Sequence, residues 1–196
     1  MPEEIEVKFL NIDPRQIERQ LKAIGAKKVF NRLYYRRVFD FPDLRLDKKS
    51  AFLRLRDEGD RIMLAFKQRL GVKDHGGKIN DRGMEEIEVE VNDFGKMAVI
   101  LLKLGLIEKF YQENRIIRYQ LGKIEFDIDF HPRLNPYLEI EAPSWKEIDR
   151  AIQLMGLDDR DRKIFSAQQA YKLAGINEND YQVMSFKRFI KKKKRV

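Results

Sequence analysis

The chain contains no cysteine, which excludes disulfides, thiolate catalysis and any zinc site built on cysteine. It has two histidines, His75 in a glycine-rich stretch and His131 before a proline, and both read as incidental, so no general base is marked. The single tryptophan, Trp145, follows a helix-capping serine and reads as a packing residue. No apolar run approaches the ~20 residues of a membrane span, and MPEEIE lacks the basic-then-apolar order of a signal peptide. A GxxxxGK[ST] phosphate loop is also missing. The expectation is a cytoplasmic protein without a membrane partner. At 196 residues and 43% apolar content, one domain with at most an appendage is expected.

What the chain has in abundance is charge of both signs, 40 Lys and Arg against 32 Asp and Glu. The last ten residues, KRFIKKKKRV, hold seven of the basic groups and no acid, so residues 1–186 stand at 33 against 32. The basic excess belongs to the tail. It reads as a solvated end, with nucleic-acid contact weak at most.

The pentapeptide EEIEV occurs twice, at residues 3–7 and 85–89. After the first copy, Asp13 and Pro14 start a helix with an Ile17, Leu21, Ile24 stripe that Gly25 stops. After the second, Asn92 or Asp93 starts a helix that Gly105 stops. Each glycine is followed by a basic, aromatic, strand-like run, which indicates a duplicated strand–helix–strands unit. Between the copies, AFLRLRDEG and RIMLAFKQR read as a hairpin, and GVKDHGGKINDRG (71–83) as a long, mobile loop. Further on, KIEFDID and YLEIEA read as strands and Ser144 opens a third helix. Residues 158–175 are expected to be helical. The expected organisation is a domain over 1–176 and an appendage over 177–196.

Strand after strand alternates apolar with charged residues, and the charges are sorted by sign. Acidic faces carry Glu4 and Glu6; Glu86, Glu88 and Glu90; Asp127 and Asp129; Glu139 and Glu141. Basic faces carry Arg54 and Arg56, then Lys67 and Arg69. Arg115 and Arg118 are further candidates, although a spacing of three cannot put both on one face of a regular strand. Carboxylates stacked ~5–7 Å apart repel unless cations face them, and the apolar faces need covering by helices. A closed or nearly closed antiparallel barrel meets both demands, with a charged lumen and an apolar, helix-clad exterior: an α+β fold of eight strands in two pseudo-twofold halves. Such a lumen suits a polyphosphate bridged to hard divalent cations, for which oxygen ligands favour Mg2+ or Mn2+ over zinc.

These residues carry a resemblance. Glu4-Ile-Glu6-Val-Lys8, Leu53-Arg54-Leu55-Arg56, Leu64-Ala65-Phe66-Lys67, Glu86-Ile-Glu88-Val and Asp127-Ile-Asp129 with Glu139-Ile-Glu141 follow the order of motifs in the CYTH superfamily, the triphosphate tunnel metalloenzymes. The chain resembles that family over roughly residues 3–170. The resemblance implies an eight-stranded antiparallel tunnel holding a small-molecule triphosphate with Mg2+ or Mn2+. Glu4, Glu6, Asp129, Glu139 and Glu141 would then hold metal. Lys8, Arg54, Arg56, Lys67, Arg115 and Arg118 would grip phosphates, Glu4, Glu6 and Lys8 would carry the catalysis, and Glu86 and Glu88 would form a secondary acidic strand. One departure is Glu113, which stands where the family often has lysine in a Lys-x-Arg pair ending at Arg115; Arg118 is the candidate substitute. The family supports triphosphate hydrolysis, as in thiamine triphosphatase-like members, and cyclisation of ATP by class IV adenylyl cyclases. Hydrolysis is the first expectation, because no nucleoside pocket is legible. Cyclisation is the second, and a non-catalytic binder of polyphosphate or an RNA 5′ end the third. A homodimer is compatible with all three.

Overall fold

A computed structural model describes residues 5–70, 72–75, 78–81, 84–164 and 166–193. The first half runs β1 (Ile5–Phe9), α1 (Pro14–Ala23), β2 (Lys27–Asp40), β3 (Ala51–Asp57) and β4 (Ile62–Arg69). A separate hairpin follows, β5 (Val72–His75) and β6 (Lys78–Asp81). The segment expected to be a loop thus contains two paired antiparallel strands. The second half runs β7 (Met84–Val91), α2 (Phe94–Lys103), β8 (Ile107–Leu121), β9 (Ile124–Phe130) and β10 (Tyr137–Ala142). Then come α3 (Trp145–Met155), α4 (Ala167–Leu173), β11 (Tyr181–Met184) and β12 (Phe189–Lys191). Among the described residues of the 158–175 stretch, 167–173 is α-helical and 159–161 forms one short 3-10 turn.

Eight strands form one antiparallel sheet in the order β1-β10-β9-β8-β2-β3-β4-β7. This order is its own mirror image: the second strands of the two halves meet at the centre, and the first strand of each half pairs with the last of the other. The register shows the same duplication. Arg36 lies opposite Gln112 and Phe30 opposite Arg118, and adding 82 to 30 and 36 gives 112 and 118. The two EEIEV copies are also 82 residues apart, since 85 − 3 = 82.

The helices begin where the sequence marks them. The Asp13 side chain accepts from the Arg15 amide, Pro14 occupies the first turn, and Gly25 supplies a left-handed φ of +82° after the helix. Asp93 caps α2, and Ser144 caps α3 by accepting from the Glu147 amide.

The sheet curls so that all eight strands face one cavity. Its outer face is apolar, as the alternation predicts. Val7, Phe126, Ile128, Leu138 and Ile140 pack beneath α1 and α3 into the largest core, with Ile17, Leu21, Ile148 and Ile152 from the helices. Trp145 packs against its rim. The second half is more thinly clad. Phe39 and Leu55 are buried with Ala98 and Leu101 of α2, but Ile87 and Val89 of β7, expected to face helices, are 50% and 52% exposed because no second helix reaches them.

The curl is not closed by hydrogen bonds among the described residues. The outer edge of β1 is bridged by Lys163, whose backbone exchanges bonds of 2.8 and 2.9 Å with Lys8. β7 has no strand on its outer edge. One end of the lumen is filled. The inward positions of β2 and β8 turn from polar to apolar at Val38 and Phe110, which pack with Tyr171 of α4 and Met184 of β11. β11 joins the sheet parallel to β8, and Glu178 just before it accepts from Gln112 at 3.1 Å. The segment expected to be an appendage contributes β11, β12 and, through Met184, part of the floor. Among the described residues no helix is long and apolar enough to cross a membrane.

Candidate active site

The cavity measures about 570 Å3 and has two opposed walls. Charge alternation on β9, β10 and β1 brings Glu125, Asp127, Asp129, Glu139, Glu141 and Glu6 to one side. Alternation on β2 and β3 brings Arg32, Arg36, Arg54 and Arg56 to the other, with Lys67 from β4.

On the acidic wall, Lys8 is 3% exposed and its ammonium lies 2.7 Å from both Glu6 and Glu139. Burial works against that charge, but the two carboxylates outweigh it and raise the Lys8 pKa. The carboxylates respond unequally. Burial pushes Glu6 up, yet Lys8 reverses this and holds Glu6 below its ordinary value. Glu139 is pushed up to about 8 by burial and by Glu6 beside it, which Lys8 only partly offsets. Burial and the neighbouring Glu125 push Glu141 up to about 6. Burial also pushes Asp127 up to about 6, despite the two bonds of 2.7 and 2.5 Å that Arg118 donates to it. Asp129 accepts from Asn114 at 2.9 Å. It lies 3.5 Å from His131 Nε2, which is 2.9 Å from the Tyr137 hydroxyl. His131 is thus a buried part of the floor, with Tyr137 stacked on it and Tyr171 at its edge. It is not an incidental turn residue.

On the basic wall, Arg54 reaches Glu86 and Glu88, each at 3.4 Å. Lys67 pairs with Glu86, and Arg56 with Glu58. Arg36 forms no ion pair among the described residues. The Nε atoms of Arg36, Arg54 and Arg56 are buried without hydrogen-bond partners. Burial and the guanidinium of Arg56 push Arg36 down, and burial with Arg56 and Arg36 pushes Arg54 down. Guanidinium does not lose its proton in proteins, so this means repulsion among three crowded cations. An anion with several oxygens relieves it.

Of the sequence candidates, Glu6, Lys8, Arg54, Arg56, Lys67, Arg118, Asp129, Glu139 and Glu141 share the cavity, as do Glu86 and Glu88. Glu4 lies outside the described residues. Arg115 does not line the cavity; its guanidinium lies 3.9 Å from the centre of the Phe130 ring, and Phe130 packs against the outer core. The β8 alternation that brings Asn114, Ile116 and Arg118 inward turns Arg115 out. Arg118 is inside but held by Asp127 and Glu125, so it serves the acidic wall. Sequence reading missed Arg36, Arg32 and Asn114. The 82-residue offset is the signal that finds Arg36, since it makes Arg36 the counterpart of Arg118.

Among the described residues no three of His, Asp and Glu converge closely enough to hold a metal ion. The chemistry of the donors nonetheless fits a hard cation. They are all carboxylates, and several have pKa values raised by burial and by the carboxylates beside them.

The CYTH domain family profile matches residues 2–170. A Methanocaldococcus jannaschii protein, named as a candidate adenylate cyclase, is 32% identical over 181 residues, covering 90% of this chain and 92% of that one. A solved Pyrococcus horikoshii protein shares the fold at 23% identity and a TM-score of 0.66, over 82% of this chain and 94% of that one. A Hippeastrum protein, described as a candidate adenylyl cyclase with a dominant triphosphatase activity, shares it at 17% identity and a TM-score of 0.62, over 90% and 97%. With its profile matched over most of its length and its charged lumen built on the same curled sheet, this chain belongs to the CYTH family, which includes triphosphatases and class IV adenylyl cyclases.

Proposed function

We propose that the cavity binds a triphosphate together with Mg2+ or Mn2+ and that the chain hydrolyses it. The observation that carries this reading is the pairing of walls: crowded, incompletely partnered guanidiniums on one side and crowded carboxylates on the other. Arg36, Arg54, Arg56 and Lys67 are the phosphate grip. Their fixed positive charge balances the negative charge that shifts between phosphate oxygens as the terminal bond breaks. Glu6, Asp129, Glu139 and Glu141, with Glu4, are the residues that would hold the cation. When bound, that cation supplies further charge neutralisation of the phosphate chain. Lys8 neutralises Glu6 and Glu139 and so keeps the acidic wall from repelling the substrate. The apolar floor at Val38, Phe110 and Tyr171 stops the lumen and keeps water out of that end.

A second reading, cyclisation of ATP to cyclic AMP and pyrophosphate, is favoured by the name of the archaeal relative. Product analysis separates the two. Purified protein would be incubated with tripolyphosphate, ATP or thiamine triphosphate plus Mg2+ or Mn2+. Hydrolysis releases phosphate; cyclisation releases pyrophosphate and cyclic AMP; a binding protein releases neither. Arg36→Met is expected to lower turnover about 10- to 100-fold, the worth of one or two charge-assisted hydrogen bonds, without lowering the melting temperature. Phosphate release that survives Glu4→Gln combined with Glu6→Gln would sink the metal-site assignment.

A further inference from the structure

The duplicated halves have the same sheet but unequal covering. Aligning the helices on their caps and stops, Asp13 with Asp93 and Gly25 with Gly105, sets an offset of 80 residues. Ile17 and Leu21 on the buried side of α1 then match Met97 and Leu101 of α2, which also pack inward. The outward side does not match. Where α1 has the exposed Arg19 and Lys22, and Gln20 donating to the Met155 carbonyl of α3 at 3.0 Å, α2 has Val99, Ile100 and Leu102. These three are 54%, 50% and 44% exposed, and Leu104 is 69% exposed. A helix apolar all round is normally a buried helix.

The sheet beside α2 has the same deficiency. In one half, α3 follows β10 and packs on β1, β10 and β9. The counterparts of those strands are β7, β4 and β3, and among the described residues the β5–β6 hairpin, not a helix, follows β4. Ile87 and Val89 lie exposed on the outer face of β7, where the counterpart of α3 would sit. With the four α2 residues they present roughly 600 Å2 of apolar surface, at the top of the ~300–600 Å2 range of the largest patches on monomers and close to the ~800 Å2 per partner of a stable interface. Glu85 alternates onto the same outer face as Ile87 and Val89, while the only charges on α2 are Lys96 and Lys103. Lys96 pairs with Asp93 at the start of its own helix, at 3.1 Å, so Glu85 and Lys103 are the opposite charges this face offers a second copy.

We propose that this face binds a second copy of the chain. The pair is twofold-symmetric, with the outward side of α2 in one copy seated on the outer face of β7 in the other. Each copy thereby supplies the layer that the duplicated architecture provides only once, and the two symmetric contacts bury α2 on all sides.

The test is the mass of the full chain by sedimentation velocity between about 1 and 100 µM, the range of ordinary specific association. The expected result is a species of twice 23.4 kDa. Giving α2 the residues of α1, by Val99→Arg, Ile100→Gln and Leu102→Lys together, is expected to yield a monomer with unchanged far-UV circular dichroism. Ile87→Lys on β7 is expected to do the same, so a folding fault in one variant would not hide the answer. A wild-type chain that stays monomeric across the range overturns the proposal. So does a dimer that persists in both folded variants, since the contact must then lie elsewhere.

Discussion

Lys8 is a single ammonium shared by two carboxylates, and Glu139 carries the consequence. Its pKa is about 8 in the folded chain against an ordinary 4.5. Asp127 and Glu141 are displaced in the same direction, each to about 6. A carboxyl whose folded pKa is raised binds its proton more tightly when folded. Its contribution to stability is therefore present below the unfolded pKa and is lost as pH rises through the folded one. For these three groups the window runs from 3.8, the ordinary value of Asp127, to about 8, the raised value of Glu139. The metal-free protein is expected to melt at progressively lower temperature across that window. Glu139→Gln should flatten the upper part of the slope, between about 6 and 8, where Glu139 alone of the three carboxyls titrates. A slope over pH 6 to 8 that is the same in the wild type and in Glu139→Gln, measured by calorimetry, would show that Glu139 does not titrate in that range.

At the scale of elements, the parts legible in the sequence were those where one local rule acts alone. The strict alternation of β1, β9 and β10 gives their inward faces directly, and Asp13-Pro14 and Ser144 give helix starts. The basic wall was harder to read on β2. Its inward set is Phe30, Arg32, Tyr34, Arg36 and Val38, where charge, aromatic and aliphatic residues mix, so Arg36 did not stand out. On β8 the choice between Arg115 and Arg118 depends on register against β2 and β9, which no local pattern contains. The C-terminal strands were missed because β11 pairs in parallel with β8, some seventy residues earlier in the chain. Met184 on β11 is fully buried against Val38, Phe110 and Tyr171. Met184→Ala is expected to cost about 2–4 kcal/mol and to lower the melting temperature by several degrees. Lys193→Ala, on the exposed end of the same segment, should change it by less than about 1 °C, as surface substitutions generally do. Equal melting temperatures for the two variants would mean that the segment is not part of the folded unit.

For the molecule as a whole, Val38, Phe110, Tyr171 and Met184 close the lumen at one end. Under the proposed activity a long linear polyphosphate cannot thread through and must present an end. Shortening is expected to proceed from chain termini, leaving long chains and free phosphate at early times on a sizing gel. Early accumulation of mid-length fragments would overturn this. The mirror-image strand order has a different consequence, in the time taken to make the protein. β1 pairs with β10, so Ile5 finds its partner in Ala142, 137 residues later. At synthesis rates of about 5–20 residues per second, β1 waits on the order of ten seconds outside the ribosome with nothing to pair with. Neither half can complete its sheet alone, because each lends its first strand to the other. A bare strand is a template for the wrong partner, and charge along it is a common deterrent. The charges of Glu6 and Lys8 that line the lumen in the folded chain are of the kind that deters such mispairing while the strand waits.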